Sequence, residues 1–225
     1  MKKGFYILIF LLFLFSCVEE NKKNVEELTN NNTLSFRQVK LLRNDISNNV
    51  FLNWSSYYKS LDSSFSADNF FLEDMKSINF IPGNINGIFD DEFDEIYTDF
   101  IVFSPSKVQY IDLDSYQWTI DENDSPIFSA DQEINLVNIS EQTVERIDFK
   151  GPHQWVEDAY WIDDSTIVLL ENSSEGILRV SKINLFRKEI KTFKCGHTIH
   201  AKSKYSELRL IKKGLNPPVY LKNSN

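Results

Sequence analysis

The chain has 225 residues, 42% hydrophobic and 14% aromatic, with 18 Phe, 9 Tyr and 4 Trp but only 7 Gly and 6 Pro. That length supports a real core, and that aromatic content excludes a disordered or low-complexity body. A formal net charge of −9 argues against a nucleic-acid partner, whose phosphates call for a basic surface.

Met1-Lys2-Lys3 gives a positive start, and Phe5 to Phe15 is almost wholly apolar. The run covers about 11 residues, short of the ~20 that a membrane-crossing helix needs, so it reads as an export signal. Leu14-Phe15-Ser16-Cys17 closes it, with a Leu three places before the cysteine and a small residue directly before it. This stretch resembles the lipobox of bacterial lipoproteins, although Phe15 is bulkier than the residue usual at its place. The resemblance implies that residues 1–16 are a signal peptide, cut before Cys17. It also implies that the Cys17 thiol carries a diacylglycerol thioether and that the new amine is acylated, palmitate being a typical chain. Each buried CH₂ contributes ~0.8 kcal/mol, and two or more chains give lasting attachment. The expectation is therefore a cell-envelope protein held on the lipid bilayer through acylated Cys17, at the outer membrane or cell surface rather than the inner membrane.

Val18 to Thr33 is polar and Asn-rich, so residues 17–33 read as a lipidated tether and 34–225 as a single β-rich domain. Leu34 to Asp45 fits strand and helix equally. Val50, Trp54, Tyr57, Tyr58 and Leu61 recur at helical spacing and predict a short N-terminal helical segment with an aromatic core face. Ile81 to Gly87 reads as loop punctuation. Asp90-Asp91-Glu92-Phe93-Asp94-Glu95 is dense in carboxylates but lacks the alternating Asp frame and distal Glu of a calcium loop, and reads as a solvated face.

From Phe100 on, short alternating runs follow one another between turn residues. They are Phe100–Phe103, Val108–Leu113, Tyr116–Ile120, Ile134–Ile139 and Thr143–Phe149, then Ala159–Ile162, Thr166–Leu170, Ile177–Leu185 and Glu189–Phe193. Such spacing predicts a mainly β, antiparallel meander. Trp161-Ile162-Asp163-Asp164-Ser165-Thr166, with the strand after it, resembles the start of a β-propeller blade, and residues 100–150 a second, looser blade. The chain is too short for a closed ring of ~40-residue blades, so the expectation is a meander of propeller-blade-like or sandwich type. Ser206–Ile211 alternates and reads as a further strand, with Val219–Leu221 as an edge strand.

No nucleophile elbow, phosphate-binding glycine loop or dinucleotide fingerprint occurs, so no catalytic residue is nominated. Cys195, His197 and His200 form a Cys-x-His-x-x-His pattern that looks like part of a zinc site. On a strand, however, His197 and His200 would face opposite sides, and zinc needs further ligands. No metal and no cofactor is therefore assigned. Cys195 has no disulfide partner if Cys17 carries lipid, and reads as a small buried residue. Trp155, Tyr160 and Trp161, in the densest aromatic and acidic stretch, are candidates for an interaction surface, though a tryptophan at a strand start also suits a core.

Residues 62–175 hold 26 acidic and 4 basic side chains, a net of −22, whereas 179–222 hold 12 basic and 2 acidic, a net of +10. Adjacent halves that neutralise one another account for this division; a basic tail docking on anionic lipid or an acidic partner is the alternative. The function expected is a binding or scaffolding role in the envelope, with an envelope protein as one possible class of partner. An immunity- or inhibitor-type lipoprotein that neutralises a toxin or hydrolase, and a surface enzyme directed at carbohydrate, are the alternatives.

The anchor has a direct test. Cells fed a clickable palmitate analogue should label the wild-type chain and leave Cys17→Ala unlabelled. Equal labelling of both bands removes Cys17 as the lipid site.

Overall fold

A computed structural model describes residues 39–41 and 43–217. The apolar run Phe5–Phe15, Cys17, the stretch read as a tether and Val219–Leu221 lie outside the described residues. From Lys40 onward the described residues form one compact unit.

A short helix α1 (Arg43–Ile46) precedes helix α2 (Asn49–Leu61). Asn48 caps α2 by accepting the Val50 N–H at 2.8 Å, the usual means of satisfying a first-turn donor. Of the periodic face read from the sequence, Trp54 and Tyr58 are buried, Val50 and Tyr57 half-buried and Leu61 exposed, and Phe51 joins the inward face instead. Phe65 and Phe70 close around Trp54 at ring separations of 6.4 and 6.1 Å.

Twelve strands follow: β1 (Phe70–Ser77), β2 (Ile81–Pro82), β3 (Val102–Phe103), β4 (Gln109–Asp112), β5 (Trp118–Ile120), β6 (Pro126–Phe128), β7 (Gln132–Asn138), β8 (Thr143–Lys150), β9 (Gln154–Asp163), β10 (Thr166–Ser173), β11 (Ile177–Asn184) and β12 (Glu189–Thr198). A six-residue 3-10 helix (Glu95–Phe100) precedes β3, and helix α3 (Tyr205–Lys212) follows β12. The architecture is mainly β and antiparallel, as the alternation predicts. One five-stranded sheet runs β1-β12-β11-β10-β9, the other β2-β8-β7-β4-β3, and β5-β6 is a separate hairpin.

The two large sheets share a plan. Each contains a four-strand meander, β9 to β12 in one and β3-β4-β7-β8 in the other. In each, the last meander strand takes an early strand, β1 or β2, along its outer side. Side chains from both meet in one apolar core, with Ile111, Leu113, Ile134, Leu136 and Ile147 from the second sheet and its connections, and Val156, Ala159, Trp161, Ile167 and Leu169 from the first. Burying a Leu or Ile side chain fully contributes about 1.5–3 kcal/mol before entropy is counted.

Strand β10 is buried at every position. Alternation along a strand puts Ile167 and Leu169 on the inter-sheet core, so Val168, Leu170 and Asn172 face the other side, toward the helices. That two-sided burial explains the continuous apolar run Thr166–Leu170.

Three elements differ from the sequence reading. Ser206–Ile211 is helix α3, not a strand. Its buried residues are Ser206, Arg209 and Leu210, while Leu208 is 47% exposed. The inward face has helical spacing, and it includes a charged residue that an apolar pattern cannot register. Strand β1, in turn, carries the polar run Glu73-Asp74-Met75-Lys76-Ser77; only Phe70 and Leu72 are buried, so it lacks the alternation of a half-buried strand. Ile81–Pro82, read as loop, is a two-residue strand against Arg146 and Glu145 of β8. Proline is tolerated there because β2 is an edge.

The charge division resolves into contacts. Arg179 and Lys194 pair with Glu73, and Arg209 pairs with Asp114. The basic stretch thus lies in β11, β12 and α3 and neutralises acidic neighbours, the first of the two arrangements expected.

Gly176, with φ +72°, joins β10 to β11, and a Cβ there would sit 1.8 Å from the Ile199 carbonyl oxygen. Gly214, with φ +111°, has open space around it. Gly176→Ala should therefore cost at least about 2 kcal/mol and Gly214→Ala about 1 kcal/mol. Equal urea midpoints for the two variants would contradict the packing at Gly176.

Candidate functional site: a buried carboxylate hub beside a cleft

The local fold of β9 creates the site. Opposite β10, Asp158 pairs with Leu170 and Val156 with Glu171, so Glu157 is an extra residue, a β-bulge. Without the bulge, alternation from Ala159 and Trp161 would turn Glu157 into the apolar inter-sheet core. With it, Val156 takes that direction, and Glu157 faces α2. Bulges re-aim side chains in this way.

Glu157 is fully buried, at 0% exposure. Its Oε2 accepts the Trp54 indole N–H at 2.7 Å and the Tyr58 hydroxyl at 2.6 Å. Its Oε1 accepts the Ser203 hydroxyl at 2.7 Å, the Trp155 indole at 3.3 Å and the Asn172 amide at 3.4 Å. All five donors are neutral. Burial pushes the Glu157 carboxyl above the usual carboxylate range, although the bonds from Tyr58, Ser203 and Trp54 pull the other way. Burial, reinforced by the adjacent Glu157, likewise pushes the Tyr58 phenol up.

A second buried polar cluster lies beside it. Arg209 of α3 donates to both oxygens of Asp114, at 2.6 and 3.1 Å. The same Asp114 accepts the Trp118 indole N–H at 2.7 Å. Tyr205 donates to Asp158 at 3.1 Å, and burial raises the Asp158 carboxyl above its ordinary range. Leu210 packs with Trp118, Tyr97 and Phe100 under the β5-β6 hairpin.

Between these clusters opens a cleft of about 610 Å³. Pro126, Ile127 and Phe128 of the hairpin form one wall. Gln154, Trp155 and Glu157 of β9 form another, and Lys202, Ser203, Ser206 and Glu207 at the start of α3 a third. Gln132 reaches it from β7 and is held on all sides: its amide donates to Leu113 and Val156 carbonyls and to Gln117 Oε1, and its oxygen accepts the Val156 N–H. The floor is rigid in consequence.

Of the three aromatics expected at an interaction surface, only Trp155 lines the cleft. Tyr160 is 4% exposed and its hydroxyl donates to the Asp45 carbonyl. Trp161 is 8% exposed, sits in the inter-sheet core and donates to the Val102 carbonyl at 2.8 Å. Both therefore serve packing.

His197 shares its Nε2 between Asp62 at 2.7 Å and Ser64 at 2.9 Å, an arrangement that holds Asp62 low as a carboxylate. Cys195 is a buried free thiol, which burial raises. Among the described residues no three His, Cys, Asp or Glu side chains gather as a metal site. The hub itself was not legible in the sequence, because its five donors come from residues 54 to 203 and the bulge that turns Glu157 leaves no pattern; only the helical spacing of Trp54 and Tyr58 pointed there.

The raised Glu157 carboxyl has a pH signature. The folded chain keeps the Glu157 proton to a higher pH than the unfolded chain does, so this group's contribution is full below about pH 4.5 and is lost as pH rises through its folded value. Glu157→Gln removes that loss. Its stability deficit against wild type in urea should therefore shrink from pH 4.5 to pH 8; a constant or growing deficit would mean that Glu157 folds ionised.

No family model matches this chain, and no curated protein and no solved structure matches it either. The hub and its cleft stand on their own geometry.

Proposed function

We propose that the chain is a membrane-anchored lipoprotein of the cell envelope that binds a small ligand in the cleft beside Glu157. The cleft carries the reading. Its volume of about 610 Å³ falls in the ~300–1,000 Å³ range of ligand sites, and its walls mix apolar surface with a few polar groups, as such sites do. It is also backed by groups that hold one another in place. Glu157, Gln132 and Asp114 are each fixed by three or more hydrogen bonds. A wall fixed before the ligand arrives loses little freedom on binding.

Glu157 serves as a strut in this reading. A general acid or base must reach the proton it moves, and both oxygens of Glu157 already hold donors from the chain. The anchor follows from the lipobox-like Leu14–Cys17, and the bilayer is the partner that it supplies.

The test uses the whole protein, extracted from envelope membranes in mild detergent and examined by native mass spectrometry. Wild type should carry an adduct of a few hundred daltons that Trp155→Ala loses. A near-stoichiometric protein partner with no small adduct would replace this reading with the inhibitor or scaffold role, for which the exposed Asp91, Glu92 and Glu95 would suit a basic target.

A further inference from the structure

We infer that the ligand of this cleft is a neutral polyhydroxylated ring, a saccharide, seated against the Trp155 indole. The inference rests on the cleft being a ligand site and goes on to name the chemical class. Three observations lead to it.

The first is charge. Asp121 and Glu207 on the walls outnumber the single lining cation Lys202, so an anion is disfavoured. An amine is not well served either. Glu157 is ringed by five donors, and Asp121 accepts the Asn123 and Ser125 N–H groups at 2.8 and 2.9 Å. Carboxylates so engaged have little left to offer a cation, and Glu207 too has a partner within the chain.

The second is the kind of polar group that remains. The Ser206 hydroxyl, on a residue 9% exposed, is buried in the wall without a partner. Gln117 Oε1 accepts from Gln132 at 2.9 Å, which leaves the Gln117 amide nitrogen as a donor. Gln154 and Ser129, both exposed, stand at the rim. Amides and hydroxyls supply donors and acceptors together, which suits a ligand whose hydroxyls also do both. A buried hydroxyl without a partner costs about 1–3 kcal/mol, so a ligand that engages Ser206 recovers that cost.

The third is the apolar wall. Ile127 is 55% exposed and stands with Pro126, Phe128 and Trp155 around the opening. Trp155 is the only half-buried tryptophan; Trp54, Trp118 and Trp161 are 0%, 1% and 8% exposed. The Trp155 indole N–H is held by Glu157 Oε1 at 3.3 Å, which fixes its orientation. A flat amphipathic ring fixed in this way suits the C–H face of a pyranose, whose hydroxyl rim then meets the amides. A purely apolar ligand would leave those amides and Ser206 unpaired.

The experiment is calorimetric titration of the full detergent-solubilised chain against maltotriose, cellotriose, chitotriose and mannotriose, with a tripeptide, an alkylamine and a short fatty acid as competing classes. At least one trisaccharide should bind saturably. Trp155→Ala should weaken it at least tenfold and Gln154→Ala several-fold. Trp155→Phe, which keeps a ring but removes the same indole N–H from Glu157 as Trp155→Ala does, should retain part of the affinity, and Gln154→Ala should keep the wild-type urea midpoint. Tryptophan emission should shift on binding in wild type and not in Trp155→Phe, because the other three indoles are buried. If the saccharides are silent while the peptide, amine or fatty acid binds and depends on Trp155, the saccharide assignment is overturned and the ligand cleft stands. If no class binds, both are overturned.

Discussion

A single buried carboxylate ties three parts of this molecule together. Glu157 accepts from Trp54 and Tyr58 of α2, from Asn172 of the neighbouring strand and from Ser203 of the segment entering α3. Hydrophobic burial would press the same elements together without choosing their rotation. Hydrogen bonds of fixed length choose it, and breaking a buried polar network is costly because every orphaned donor loses its solvation. The helix packs where it does because its aromatic stripe carries an indole N–H and a phenol at the places where Glu157 can accept them.

The β-bulge is what makes that possible. A carboxylate in the inter-sheet core would face only Ile and Leu; turned outward, it meets donors. Val156 takes its place among the apolar side chains, and Trp155 is left beside the opening. One inserted residue therefore closes the core, seats the helix and positions the half-buried aromatic of the cleft.

Much of this was legible in the sequence, and the reasons for the rest are specific. Strands β4, β7, β8, β10, β11 and β12 announced themselves by alternation or by apolar runs between turns, and α2 by its aromatic period. Helix α3 did not, since Leu208 and Leu210 mimic strand alternation while the buried residue between them is Arg209, paired with Asp114 95 residues earlier. Strand β1 was silent because its outer half is polar on both faces. Trp155, Tyr160 and Trp161 looked alike as neighbours in sequence, yet the bulge and the strand's two faces send the last two into packing. Such outcomes depend on partners distant along the chain, which composition and spacing do not encode.

The early strands carry a consequence for biogenesis. β1 lies along β12, with Phe70 opposite Cys195, and β2 lies along β8, with Ile81 opposite Arg146. Each early strand is thus made well before the strand it pairs with. Until those later strands are made, both segments lack their sheet partners. The short β2 with its proline and the charged outer half of β1 are poor templates for pairing with another molecule, so the waiting segments are built to stay solitary until their own partners arrive.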